Sequence, residues 1–302
     1  MTKVNSLTIT YLSKVTFGSL NGGDKEVDNI NPIKKITLDN GQELPYISSQ
    51  ALRRALRDSL IAMGEEKSAV QEASAKKGAP KTQMDPVRYI EDDLFGYMDA
   101  APGKDGERGK SKIRTSPVRV EAMVALNEYK GDLDYATNFM AVEGGGTPNI
   151  FESEVHSGIY RGTVLIELDR VGSGQGFEVD GGLDFDEKAR RIKLLLDAIQ
   201  NLWSSGRQTR FLSDISPKFI AAACMTAKNP IFLEAVHLTP EGAVDVEMLA
   251  SVISDYERFI HKHVFAAQQA IFPLPADASV KSLKEGFAEI AAWVEEYYRV
   301  ES

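Results

Sequence analysis

Three observations predict the fold class: β-branched alternating runs near the N-terminus and at 158–170, two amphipathic helical stripes, and no internal repeat. In order, the segments read β–α–β–β–α–β with insertions. That is an α+β chain with a ferredoxin-like/RRM-like core. Residues 5–17 alternate and are β-branched, so they read as a strand. Residues 36–44 read as a hairpin with Asn40-Gly41 as its turn. At 45–58 a strand end leads to a serine N-cap, Ser48 or Ser49, and then to a helix over about 49–63 that closes near Gly64. Helical spacing puts Leu52, Ala55, Leu56, Ser59 and Met63 on one arc, the expected buried stripe, with Arg53, Arg54 and Arg57 on the arc beside it.

From 65 to 112 the pattern dissolves into Glu, Lys, Ala, Gly, Asp and Pro, apart from a more ordered run at 87–96. A polar stretch this long inside a domain predicts an inserted segment. Strand character returns at 113–126 and 158–170. A second helix is expected over 186–204, with Ile192, Leu195, Leu196, Ile199, Leu202 and Trp203 as its apolar face, and further helices near 245–270 and 281–299.

Composition narrows the class. In 302 residues, 43% are hydrophobic and 26% charged, as in ordinary globular proteins. No run approaches the ~20 apolar residues of a membrane span, and the N-terminus does not read as a signal peptide. The single cysteine, Cys224, leaves no internal disulfide, suits a reducing cytoplasm, and reads as a small buried side chain rather than a nucleophile. A net charge of −9 argues against a polyanionic partner, but clustering matters more than the total. Residues 104–119 carry Lys104, Arg108, Lys110, Lys112, Arg114 and Arg119 against Asp105 and Glu107, while acid gathers at 178–187 and at Glu295, Glu296 and Glu301.

Three cations in the first turns of a helix oppose its dipole. A guanidinium cluster at a helix N-terminus makes chemical sense as a phosphate site, although arginines on a solvated face would look the same. The loop 172–176 (GSGQG) lacks the spacing of a dinucleotide fingerprint and reads as flexible. His261 and His263 fall in an expected helix, where alternate residues point apart, which argues against shared metal ligation.

The stretch YISSQALRRALRD (46–58), preceded by a strand, the loop GSLNGGD (18–24) and a short hairpin, resembles the N-terminus of the CRISPR-associated backbone subunits of Cascade, the DevR-like type I members of the RAMP superfamily. IRTSPVRV (113–120) and NIFESEVHSGIYRG (149–162) fit the same family in the same order. The resemblance implies a hand-shaped protein: one RRM-like palm domain over 1–302, an inserted finger-like segment at 65–112, and a candidate thumb hairpin at 139–156. It implies that Arg53, Arg54 and Arg57 grip an RNA backbone beside Ser48, Ser49 and Gln50. Arg114, Arg119, His156 and Arg161 are further candidates to face RNA. Met140, Val142, Ile150 and Phe151 suit a thumb wedged beside bases, or equally a glycine-rich surface hairpin whose apolar residues tuck into the core.

The implied function is a non-catalytic scaffold that coats CRISPR RNA in a head-to-tail filament, supports pairing with target DNA, and assembles with other Cascade subunits in the cytoplasm. No cofactor, metal or membrane enters that picture. Two other readings stay open. One is a metal-dependent ribonuclease of type III character using Asp24 or Asp28, for which the aspartate-serine-proline motif is missing. The other is an unrelated α+β protein that binds a phosphorylated small molecule.

Overall fold

The computed structural model describes residues 3–24, 29–71, 81–99, 112–177, 182–203, 206, 208–268, 270–274 and 279–300. The spine is β1 (Ser6–Gly18). Its Leu7, Ile9, Tyr11 and Val15 enter one hydrophobic layer and Leu12 the other, as a two-residue period requires. After β2 (Ile30–Asn31), the expected hairpin forms from β3 (Lys35–Thr37) and β4 (Glu43–Ile47). Gly41 at its turn has φ +85°, where a side chain would be strained.

Helix α1 (Ser49–Ala62) buries Leu52, Ala55, Leu56 and Leu60. Met63 is exposed, contrary to the predicted stripe, because it is the C-cap residue just beyond the last helical turn. The segment after α1 contains α2 (Ile90–Phe95) and β5 (Tyr97–Asp99), the latter paired with β6 (Lys112–Arg114). The strand character at 113–126 resolves into β6, β7 (Val118–Val120) and β8 (Met123–Ala125). A separate small sheet is formed by β9 (Leu133–Asn138) and β10 (Asn149–Glu154), which flank the short α3 (Met140–Glu143), with β2 parallel to β10.

The chain continues through β11 (His156–Glu167), α4 (Phe185–Gln200), α5 (Gln208–Phe211), β12 (Phe219–Met225), α6 (Val246–Asp255), β13 (Ile260–Ala267), β14 (Lys281–Ser282) and α7 (Leu283–Val300). The architecture is mixed α+β. Its main sheet runs β14-β13-β12-β1-β11-β8-β4-β3, with β7 also paired to β11. Side chains of α1, α4 and α7 cover one face; α6 and residues 231–236 cover the other over β12 and β13.

Two further expectations fail here. The helical pattern at 245–270 breaks after Asp255, and 260–267 is a strand paired along β12, so long-range pairing overrides local periodicity. His261 and His263 therefore lie on a strand, with His261 where the register shifts. Helix α4 stops at Gln200, which leaves Trp203 beyond its apolar face and half exposed. Cys224 is buried, and burial pushes its thiol up to about 12. No helix among the described residues is long and apolar enough to cross a membrane.

Candidate nucleic-acid interface

The N-terminal end of α1 is held by three polar contacts. Ser48 Oγ accepts the Ala51 N–H at 3.3 Å, the Ser48 N–H donates to Asn21 Oδ1 at 2.8 Å, and Ser49 Oγ donates to the Val120 carbonyl at 2.7 Å. Helix geometry leaves the first N–H groups, those of Ser49 and Gln50, without intrahelical acceptors, and the Gln50 side chain is exposed.

The three arginines do not form one solvent-facing cluster. Arg54 is 69% exposed and pairs with Asp58 at 2.8 Å, which strengthens its basicity. An exposed pair of this spacing contributes only about 0.3–0.5 kcal/mol, so an arriving anion displaces it cheaply. Arg53 and Arg57 turn toward α2. Arg53 donates to the Phe95 carbonyl, and the two guanidinium groups lie 5.6 and 4.9 Å from the centre of the Phe95 ring. Burial depresses the basicity of both, reinforced at Arg53 by Arg57 and opposed at Arg57 by Glu91, 3.5 Å away.

Arg114 is a structural arginine. Its side chain is fully buried, and every guanidinium N–H is taken: by the Asp93 carboxylate and carbonyl, and by the carbonyls of Arg170, Ser173 and Gln175. No donor is left for a ligand. The glycine-rich loop 172–176, expected to be flexible, is therefore a cage of carbonyls around this cation. The same Asp93 accepts from Arg191 at 2.8 Å and from the Gly172 N–H at 3.0 Å.

His156 is also buried. Its Nδ1 lies 2.8 Å from the Tyr160 hydroxyl and its Nε2 3.2 Å from Asn127, and burial lowers its basicity. Arg161 is mostly covered and donates to the Glu234 and Val236 carbonyls at 3.3 Å. Arg119 is half exposed and rests on the buried Glu167, its Nε 2.8 Å from the carboxylate.

In the β9–β10 hairpin, two-residue alternation separates Ile150 from Phe151. Phe151 faces Arg210, whose guanidinium lies 5.0 Å from its ring centre and also bonds Asp134 and Ser153 Oγ, tying that side to α5. The opposite side exposes Leu133, Tyr135 and Ile150, and the tip exposes Phe139, Met140 (77%) and Val142. Ile150 and Phe151 thus do not act as a pair: one is on the free face and the other on the anchored face. Asp24 lines a groove between loop 21–24 and the β3–β4 hairpin, and Asp28 lies outside the described residues. Among the described residues no group of three His, Cys, Asp or Glu side chains is placed to hold a metal ion.

A family model described as "CRISPR-associated negative auto-regulator DevR/Csa2" matches residues 9–247. The chain belongs to the CRISPR-associated DevR/Csa2 family. A Myxococcus xanthus (strain DK1622) protein described as "CRISPR-associated protein Cas7/Cst2/DevR" is 30% identical over 232 residues, 68% of each chain. Two solved structures share the fold. A chain of a "CRISPR RNA-guided surveillance complex, pre-nicking" aligns at TM-score 0.65 and 13% identity, over 96% of this chain and 100% of its own. A chain of a "CRISPR RNA-guided surveillance complex" aligns at TM-score 0.58 and 15% identity, over 95% and 99%.

Several residues that organise this region of the chain escape a sequence reading. Asn21 lies within the GSLNGGD loop, yet nothing local says that it holds the α1 cap. Asp93 and Phe95 sit in the run DDLFG, whose acid-aromatic character was the available signal. Arg210 and Lys228 carry no signal at all. Lys228 binds Glu167 at 2.8 Å beside Arg119 and Arg170. Burial alone would raise the Glu167 carboxyl, but hydrogen bonds from Lys228 and Arg119 hold it below the usual carboxylate range. A depressed folded-state value contributes stability that is present above the unfolded pKa and lost as pH falls through the folded one. Glu167→Gln is therefore expected to flatten the acid limb of a Tm-against-pH profile, and an unchanged limb would show that the cluster is solvated.

Proposed function

We propose that this DevR/Csa2-family chain is a non-catalytic scaffold of a type I Cascade effector in the cytoplasm. It coats CRISPR RNA as a head-to-tail filament, assembles with other Cascade subunits, and supports pairing of the guide with target DNA. The observation that carries this reading is the end-to-end likeness to chains of two RNA-guided surveillance complexes. The neighbouring order β12-β1-β11-β8, with α1 and α4 on one face, supports reading the core as ferredoxin-like/RRM-like. On that reading, 65–112 is the finger, and 139–156, which takes in the tip of the β9–β10 hairpin and β10, is the thumb.

A scaffold that carries any guide must bind without reading sequence, which phosphate contacts do and base contacts do not. The α1 end supplies what such contacts need: unpaired backbone N–H groups, the exposed Gln50, and Arg54 in a weak, exchangeable ion pair. Arg53 and Arg57 enter the reading as supports that fix α1 against α2, with any phosphate contact limited to their exposed edges. Arg54→Ala is expected to leave the fold intact, weaken RNA binding equally for unrelated sequences, and lower the slope of log affinity against log salt by about 1. Affinity and slope both unchanged in a binding titration would contradict the α1 assignment.

A further inference from the structure

Helix α7 packs Phe287, Ile290 and Val294 into the core against the main sheet. Trp293, Tyr297 and Val300, at i, i+4 and i+7, make a second apolar stripe along its C-terminal half. The sheet stops short of the outer end of that stripe. β14 pairs with β13 only at Ala266 and Ala267, so beside His261 and Lys262 the described sheet ends at β13. The stripe walls a cavity of about 160 Å³, which Val4 and Cys224 also line. Val300, at the mouth, is 82% exposed although it is apolar.

Size and charge together restrict the occupant. A cofactor or drug-sized ligand fills roughly 300–1,000 Å³. An apolar cavity of about 150 Å³ holds one benzene ring, so this cavity accepts a single aromatic side chain and little more. Among the described residues its rim carries Lys3 and Lys262 against one carboxylate, Glu296, with His261 beside them. Glu296 lies 2.5 Å from Lys262 Nζ, and both side chains are partly exposed. A solvent-accessible pair of this kind is weak, so a second carboxylate can share Lys262 at small cost. On a chain of net charge −9, this local excess of cations favours an acidic neighbour to the ring.

We propose that this cavity is an anchor site for a second protein, taking one Phe or Tyr ring from a segment whose flanking residues are Asp or Glu. The ring would pack against Trp293 and Tyr297, where aromatic pairs gain beyond their buried area, and the flanking carboxylate would meet Lys3 and Lys262. Protein interfaces concentrate their energy in single anchors of this type. The cavity lies at the β12–β13 side of the main sheet, whereas α1 starts from β4, with β1, β11 and β8 between them. The inference therefore goes beyond the scaffold reading and stands without it.

The test uses the full chain without RNA. Its two tryptophans are Trp203 and Trp293, so Trp203→Phe leaves Trp293 as the only indole reporter. Trp293 fluorescence is followed against the acetylated and amidated peptide EDFDE, its analogues EDADE and KKFKK, and phenylacetate. The expected result is saturable binding of EDFDE in the high-micromolar to millimolar range, about tenfold or more tighter than the other three probes. Val300→Glu, which adds a like charge at the mouth, is expected to weaken it about tenfold. Val300 is exposed, so this variant should keep the fold, which a thermal melt checks. Equal binding of KKFKK would overturn the acidic partner. Equal binding of phenylacetate would assign the cavity to a free aromatic acid and overturn the docking role. Self-association that Val300→Glu abolishes would give the cavity to a second copy, and no saturable change with any probe would remove the site. RNA binding is measured separately, so each of these results leaves the scaffold reading to its own test.

Discussion

Asp93→Ala is expected to destabilise the protein by about 3–5 kcal/mol, the cost of leaving buried charges without their partner. The Asp93 side chain has no solvent exposure and accepts from Arg114, Arg191 and the Gly172 N–H. Its removal strands two guanidinium groups that water does not reach. The loss would spread through the chain: Arg114 organises loop 172–176, and α2, which carries Asp93, also carries the Phe95 ring on which Arg53 and Arg57 rest. Gly96, directly after α2, has φ +67°, and a Cβ there would lie 2.2 Å from the Arg114 carbonyl oxygen, so this junction tolerates no easy rearrangement. Arg88→Ala, which removes an exposed pair with Glu66, is the control and should leave the stability nearly unchanged. Denaturant melts decide the matter: a loss at Asp93 no larger than at Arg88 would mean that the network is not a determinant of stability.

If the scaffold reading holds, replacing Phe139 and Met140 together by serine should leave the isolated chain as stable as before and strip copies from a complex with RNA. Both side chains are more than two-thirds exposed, at 68% and 77%, so the monomer gains little from them. A contiguous apolar tip on a structured hairpin marks an interaction surface. In a head-to-tail assembly each tip would meet a different patch on the next copy, a heterologous contact that propagates rather than closes. Burying each side chain contributes about 1.5–3 kcal/mol, so losing both weakens every junction by roughly 3 kcal/mol or more, over a hundredfold. Unchanged copy number by native mass spectrometry would remove the tip from the interface.

Local chemistry made part of this molecule legible in advance. Strand β1, the Asn40-Gly41 turn, the Ser48 cap and the apolar faces of α1 and α4, apart from Met63 and Trp203 past their C-terminal ends, are each specified by residues within one or two turns of chain. What distant residues decide was not legible. Residues 260–267 carry enough apolar periodicity to pass for helix, and only the partner strand β12 makes them β13. Arg114 has the look of one more cation in a basic stretch; Asp93, 21 positions earlier, buries it. Arg53 and Arg57 lie beside Arg54 on the helical wheel, yet a single aromatic ring on α2 draws them away from solvent. Neighbours in sequence at 150–151 part company because a strand alternates and Arg210 claims one side.

The most direct test of the scaffold reading is the copy number of this chain on guide RNA as a function of RNA length. Purified chain would be mixed with CRISPR RNAs of increasing length and unrelated sequence, and the complexes weighed by native mass spectrometry. The reading predicts that copies rise in regular steps with length, with the same step for every sequence. A single copy whatever the length, or no RNA-bound species, would contradict it.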